Sequence, residues 1–302
     1  MAKKKGSLLR QERLEGIICA SPWIIGFLLF TLGPMIASLV LSFYEYDITT
    51  PPWWVGLENY QTILFNDKTF KTALYNSVYY TVISVPLGMA VALFLAVLLN
   101  QKVRGLALFR TIFYLPSVTS GVAVSLLWMW LLDPNGGLVN TLLSYLGIRG
   151  PLWLQSPVWS KPALILMSLW GTGGTMVIYL AGLQGIPEQL YEAASIDGAN
   201  SWARFRHITI PMLSPTIFFT LIIGVINSFQ AFTQAYVMTS GGPVNSTLFY
   251  VYYIYRRGFQ YLHMGYACAL AWILFVILLF FTAMQFKLSS QWVFYEGEVR
   301  NK

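Results

Sequence analysis

Charge is scarce in this chain. Asp, Glu, Lys and Arg make up 10% of its 302 residues, against 56% for the hydrophobic types. The few charges avoid six long stretches: about Gly16–Tyr44, Thr72–Gln101, Thr111–Leu132, Pro162–Pro187, Ile208–Arg256 (interrupted by the turn Ser240–Gly241–Gly242–Pro243) and Met264–Phe286. Each offers the roughly 20 apolar residues that a helix needs to cross about 30 Å of hydrocarbon. The alternating segments of roughly ten residues that mark a membrane β-barrel are missing. The expected class is all-α, a polytopic membrane protein with six transmembrane helices.

Other absences narrow the chemistry. No Asp, Glu, Lys or Arg lies inside an apolar stretch, whereas proton-coupled carriers commonly place ionisable groups there. Sodium coupling through carbonyls and hydroxyls needs no formal charge and stays open. No G-x-x-x-x-G-K-[ST] occurs, and the cluster Gly171–Thr172–Gly173–Gly174 has no Lys to reach a phosphate, so the chain does not hydrolyse ATP by itself. The only histidines are His207 and His263, too few for a His-rich metal site, and the only cysteines, Cys19 and Cys268, fall inside predicted spans. No nucleophile, base and orienting group stand together. No internal repeat, low-complexity segment or interdomain linker is evident.

The charges that are present report topology. With the N-terminus inside, Lys3, Lys4, Lys5, Arg10, Arg13, Lys102, Arg104, Arg110, Arg204, Arg206, Lys287, Arg300 and Lys302 fall on the cytoplasmic side, thirteen of nineteen basic residues. The net charge of +7 is therefore read as membrane topology and not as nucleic-acid binding. The first apolar run is about twice as long as a signal-peptide core, so an uncleaved span is expected. The implied organisation is a cytoplasmic segment over residues 1–15, a six-span domain over 16–286 and a cytoplasmic tail over 287–302. The longest outer loop, about Glu45–Lys71, has room for a small helix around Leu57–Leu64.

Between the fourth and fifth spans sits a polar insert, YEAASIDGANSWARFRHITIP, Tyr191–Pro211. Pro187 suits a helix start, with Glu188 and Glu192 where carboxylates favour the dipole. A first helix is expected over Glu188–Ile196, a bend at Asp197–Gly198 with Asp197 capping the next helix, and that second helix over about Ala199–His207. Pro211 and Pro215 then mark the entry to the fifth span. Such a hairpin could lie in the headgroup layer with Trp202 and Phe205 dipping inward, or it could meet a partner surface, which the small pair Ala193–Ala194 would let approach closely.

Glu192–Ala193–Ala194, Asp197–Gly198–Ala199, Phe205, Ile208 and Pro211 resemble the EAA loop of bacterial ABC importer permeases, and Ile186–Pro187 with Leu190–Tyr191 is similar too. Asn76–Ser77, Leu115–Pro116 and Gly241–Gly242–Pro243 resemble the carbohydrate-uptake branch, the maltose-transporter type. Ile210 departs conservatively from the Leu more usual before the proline. The resemblance implies a type I importer permease whose insert is a coupling helix for cytoplasmic ATP-binding subunits, through Glu192, Ala193, Ala194, Asp197, Gly198, Ala199 and Phe205. It further implies a second homologous permease, an extracytoplasmic solute-binding protein and a sugar as substrate. No cofactor is expected on this chain, with ATP and Mg on the partner. The alternative from another class is a self-sufficient ion-coupled carrier.

Asn227, Gln230 and Gln234 stand at i, i+3 and i+7, one face of a continuous helix. Carboxamides there act either as hydrogen-bonding glue between helices or as the lining of a polar path. Amides suit sugars because each offers a donor and an acceptor without favouring a charged solute. Trp170 adds an aromatic face, Gly171 and Gly174 leave room for a ligand or a neighbouring helix, and Ser117, after the Pro116 break in the third span, is a further candidate for the same wall.

Overall fold

The computed structural model describes residues 2–101 and 104–294, with side chains from Arg10 onward except Gln11. It divides into two units, one formed by the chain up to Asn66 with Ile254–Ile273, the other by Asp67–Tyr253 with the chain from Leu274 on. Four helices are long and apolar enough to cross a membrane: Glu12–Leu41, Lys68–Leu99, Ser201–Phe229 and Met264–Trp292. Two bent pairs each make one further span, Leu106–Val118 with Gly121–Leu131 and Ser160–Trp170 with Gly173–Gln184. The expected six apolar stretches are thus all helical.

Two of them are not straight rods. The third turns by 101° after Val118, and the fourth by 46° after Trp170. Pro116 lies inside the first half of the third span, and the chain leaves the helix three residues later at Thr119, which is extended. Around the break, Ser117 Oγ donates to Tyr114 O at 2.7 Å and Thr119 Oγ1 to Leu115 O at 3.0 Å, side-chain bonds that compete with continued backbone pairing. In the fourth span Gly171–Thr172 interrupts the ladder. A β-carbon on the next residue, Gly173, would run into the Phe113 carbonyl and the Tyr114 backbone, so glycine there lets the two bent spans touch main chain to main chain.

In the first unit, helix Ala2–Phe27 runs through the segment expected as a separate N-terminal tail and continues by a π-helical turn, Leu28–Leu32, into Gly33–Leu41. A two-stranded antiparallel pair comes next, Tyr44–Glu45 against Trp53–Trp54, with Tyr44 opposite Trp54. The expected small helix is present as Glu58–Gln61 and the turn Thr62–Asn66. Asn59 Nδ2 donates to Ser42 O and Tyr44 O, both at 3.0 Å, and fastens helix to hairpin.

The second unit is organised around the second span. Asp67 caps it, accepting from Thr69 N at 2.8 Å and Phe70 N at 3.1 Å, and its other oxygen accepts from Tyr253 OH. Asn76 Nδ2 donates to Asn245 O at 2.8 Å, and Ser77 Oγ accepts from Tyr250 N at 2.8 Å, so the Asn–Ser pair staples the loop beyond the fifth span. Further along, Ala92 and Ala96 let Met176, Tyr179 and Leu183 of the fourth span and Leu213 of the fifth pack closely against the second. Lipid offers little hydrophobic drive for helices to associate, so small residues and polar bonds carry much of the assembly. Tyr179 OH bonds Thr220 Oγ1 at 2.7 Å and Ser228 Oγ donates to Thr81 Oγ1 at 2.8 Å, each worth about 0.6 kcal/mol in such a setting. Phe294 N donates to Ser214 Oγ at 2.8 Å. Lys102 and the tail from Tyr295 on, part of the expected cytoplasmic set, lie outside the described residues.

Candidate functional site

The polar insert folds as a helical hairpin. Its first arm is Glu188–Ile196, as expected. The arm ends because Gly198 adopts φ +77°, a left-handed conformation that side chains with a β-carbon resist. Two bonds close the end: Ala199 N to Ala194 O at 2.8 Å and Gly198 N to Ser195 O at 3.2 Å, the paired pattern of a glycine-terminated helix.

Beyond the bend, two expectations need correction. The cap of the second arm is Asn200, whose side chain accepts from Ala203 N at 2.8 Å, and not Asp197, which closes the C-terminal end of the first arm. The second arm does not stop at His207 either. Ser201–Arg204 passes through a π-helical turn, Phe205–Thr209, directly into Ile210–Phe229. Pro211 falls in the first turn of that last segment, where its missing N–H is tolerated, and the wide π turn spaces the backbone ahead of it.

The bend presents its residues outward. Glu192, Ala193, Asp197 and Gly198 are exposed, while Ala194, Ala199 and Phe205 are half-buried. Ile196 is 88% exposed and Trp202 67%, a large apolar pair beside the bend. Trp202 leans on Phe205 with ring centroids 5.7 Å apart. The hairpin is tied to the bundle by Tyr191 OH and Thr209 Oγ1 at 3.0 Å, and Arg204 Nη1 closes it by donating to Ser195 Oγ at 3.0 Å.

A separate polar cavity of about 250 Å³ opens among the second, fourth and fifth spans. Asn227, Gln234 and Gly171 line it together with Tyr80, Ser84 and Ser168. Ser84, Ser168 and Gln234 group around the Tyr80 hydroxyl. Among the described residues no Asp, Glu, Lys, Arg or His lines it, so its polar groups are hydroxyls and amides, set beside the apolar Val85, Met89 and Ala231. Gly224, whose β-carbon would come within 3.0 Å of Val85, keeps the cavity's fifth-span wall close to the second span.

The expected carboxamide stripe is not one helix face. The fifth-span helix ends at Phe229, Gln230 caps it, and Gln234 belongs to a new short helix, Thr233–Thr239. Asn227 and Gln234 still meet at the cavity, whereas Gln230 is outside its lining. Trp170, Gly174 and Ser117 are outside it too. Trp170 instead sets its ring edge-on to Trp128 at 6.2 Å, and Ser117 is exposed at the third-span break. Tyr80, Ser84, Ser168 and Thr220 escaped the sequence reading because single hydroxyls in apolar spans give no pattern until the spans are packed.

This arrangement has close relatives. The chain is 45% identical over 301 residues to the probable ABC transporter permease protein YesP of Bacillus subtilis, covering 98% of this chain and 97% of that one. It is 39% identical to the lactose transport system permease protein LacF of Rhizobium radiobacter, over 93% of this chain and 96% of that one. Among solved structures, a bacterial ABC transporter involved in the import of the acidic polysaccharide alginate has a chain that matches with a TM-score of 0.81 and 28% identity, covering 94% of this chain and 99% of that one. Residues 73–291 match the family described as binding-protein-dependent transport system inner membrane component. The spans, the hairpin between the fourth and fifth of them and this match agree, and the chain belongs to the family of inner-membrane components of binding-protein-dependent transport systems.

Proposed function

We propose that this chain is the membrane-spanning permease subunit of an ATP-driven importer that takes a sugar or oligosaccharide from an extracytoplasmic binding protein. The observation that carries the reading is the hairpin: a rigidly terminated bend that turns Glu192, Ala193, Asp197 and the large apolar Ile196 outward, where no packing against the rest of the chain accounts for them. Such a surface suits docking on cytoplasmic ATP-binding subunits, with ATP and Mg held there and no cofactor here. Both termini and the hairpin are then cytoplasmic, in line with the distribution of basic residues. A second permease chain completes the pathway.

The uncharged cavity at Asn227 and Gln234 is the proposed sugar contact, supported by its amide and hydroxyl lining and by relatives named for lactose and arabinooligosaccharide transport. The alternative of a self-sufficient ion-coupled carrier gives way to the family assignment. The test is reconstitution with and without an ATP-binding subunit. Sugar uptake that requires that subunit, and ATP hydrolysis stimulated by loaded binding protein, are the expected results; uptake by this chain alone would sink the reading.

A further inference from the structure

A second cavity, of about 360 Å³, lies between the last turn of the second span and the two arms of the hairpin. Its floor is apolar, made by Val97, Leu183 and Phe205, and its mouth carries the amides of Asn100 and Gln101. Among the described residues one charged side chain lines it, Arg204. Nη1 and Nη2 of that guanidinium donate to Ser195 Oγ and Ser201 Oγ, at 3.0 and 3.3 Å. Its Nε is buried with no hydrogen-bond partner among the described residues. The Tyr191 and Thr209 hydroxyls bond one another at 3.0 Å, and neither of them reaches it. The hairpin's carboxylates, Glu188, Glu192 and Asp197, are all outside the lining.

Only two of the five guanidinium N–H groups are engaged among the described residues, and a half-buried guanidinium short of acceptors is costly, so the fork has donors left for one more acceptor. The C-terminal end of the second span by itself disfavours an anion, but its Leu99 carbonyl is already occupied by Arg110 Nη2 at 3.2 Å. The planar fork of arginine matches phosphate oxygens. The walls are built from the ends of three membrane spans, the level at which lipid headgroups meet such helices.

We infer that this cavity binds a phosphate-bearing anion, the headgroup of an acidic phospholipid, which bridges the second span and the hairpin. Occupancy braces the hairpin against the bundle. Its consequence for ATP coupling rests on the role proposed above for the hairpin; the binding itself does not.

The test uses the assembled transporter in phosphatidylcholine nanodiscs with a photoreactive phosphatidylglycerol or, in parallel, a photoreactive phosphatidylcholine. In the wild type the glycerol probe should label peptides containing residues 97–101 and 201–209, and the choline probe should not. Arg204→Gln, and separately Val97→Trp, which fills the floor without touching the guanidinium, should each reduce that labelling about tenfold or more. Inorganic phosphate serves as competitor: failure to displace the probe supports the lipid source, and displacement supports the same site with a soluble anion. Equal labelling by the two probes in the wild type, or unchanged labelling in both variants, overturns the proposal. Lost labelling with unchanged stimulation of ATP hydrolysis leaves the site standing and overturns its part in coupling.

Discussion

The hairpin and the Asn227–Gln234 cavity are two polar regions of a chain largely built for lipid, and they are assembled in opposite ways. The hairpin's shape is fixed mainly by bonds between near neighbours: Ala199 to Ala194, Gly198 to Ser195, Ala203 to Asn200. The cavity draws Tyr80 from the second span, Ser168 and Gly171 from the fourth, and Asn227 and Gln234 from either side of a helix end. One region is local and turned outward; the other is non-local and turned inward. Damage should therefore separate cleanly, coupling in the first case and substrate handling in the second.

The strongest expected effect comes from the bend. Gly198→Pro demands φ near −65° where the chain holds +77°. We expect stimulation of ATP hydrolysis by loaded binding protein to be lost in the reconstituted complex while the chain still inserts in the membrane. Glu192→Lys should act in the same direction. Wild-type stimulation in both variants would break the distinction between the two regions.

Next is Gly173→Ala, which probes the packing beside the cavity. The added methyl meets main-chain atoms of Phe113 and Tyr114, and overpacking of this kind costs about 1–3 kcal/mol. A lower thermal midpoint of the purified complex is expected; an unchanged midpoint would show that the two bent spans can part without cost.

Asn227→Ala and Gln234→Ala should each remove one or two hydrogen bonds of about 0.5–1.5 kcal/mol, a few-fold to roughly a hundred-fold loss of sugar uptake, with assembly and some ATPase stimulation retained. Gln230→Ala should do much less, since Gln230 is outside the lining. Equal losses at Gln230 and Asn227 would restore the continuous stripe; failure of Asn227→Ala to assemble would make that residue glue. The smallest perturbation is topological: single cysteines at Ser7 or Ser201 should resist an impermeant thiol reagent added outside, and one at Asn135 should react. The reverse pattern overturns the orientation and the coupling role with it.

The same contrast explains what the sequence reveals. The first arm of the hairpin and its glycine bend are legible because Pro187, the acidic first turn and Gly198 act within a few residues of one another. The six apolar stretches are legible because length and lack of charge suffice. Pro116 signals the break in the third span, but neither its 101° nor the bend at Gly171 is legible, since proline and glycine occur in other spans without breaking them: Pro86 sits inside Lys68–Leu99 and Pro215 inside Ile210–Phe229. The stripe of carboxamides failed for a related reason. Nothing local at Gln230 forbids helix; the end falls between Phe229 and Ala231, both buried, in a setting that only the packed spans create.

The junction at Phe205–Thr209 has a mechanical meaning. Because a π turn, and not a loop, joins Ser201–Arg204 to Ile210–Phe229, the hairpin's second arm and the fifth span form one rod of 29 residues, about 43 Å long. A loop would absorb a twist applied at one end, whereas a hydrogen-bonded rod delivers torque along its length. A single residue deleted elsewhere in the rod would turn the hairpin by about 100° against the span, whereas the wide π turn can take up a one-residue change by tightening to an ordinary α turn. The five residues between Arg204 and Ile210 thus set the phase of the lever as well as its continuity.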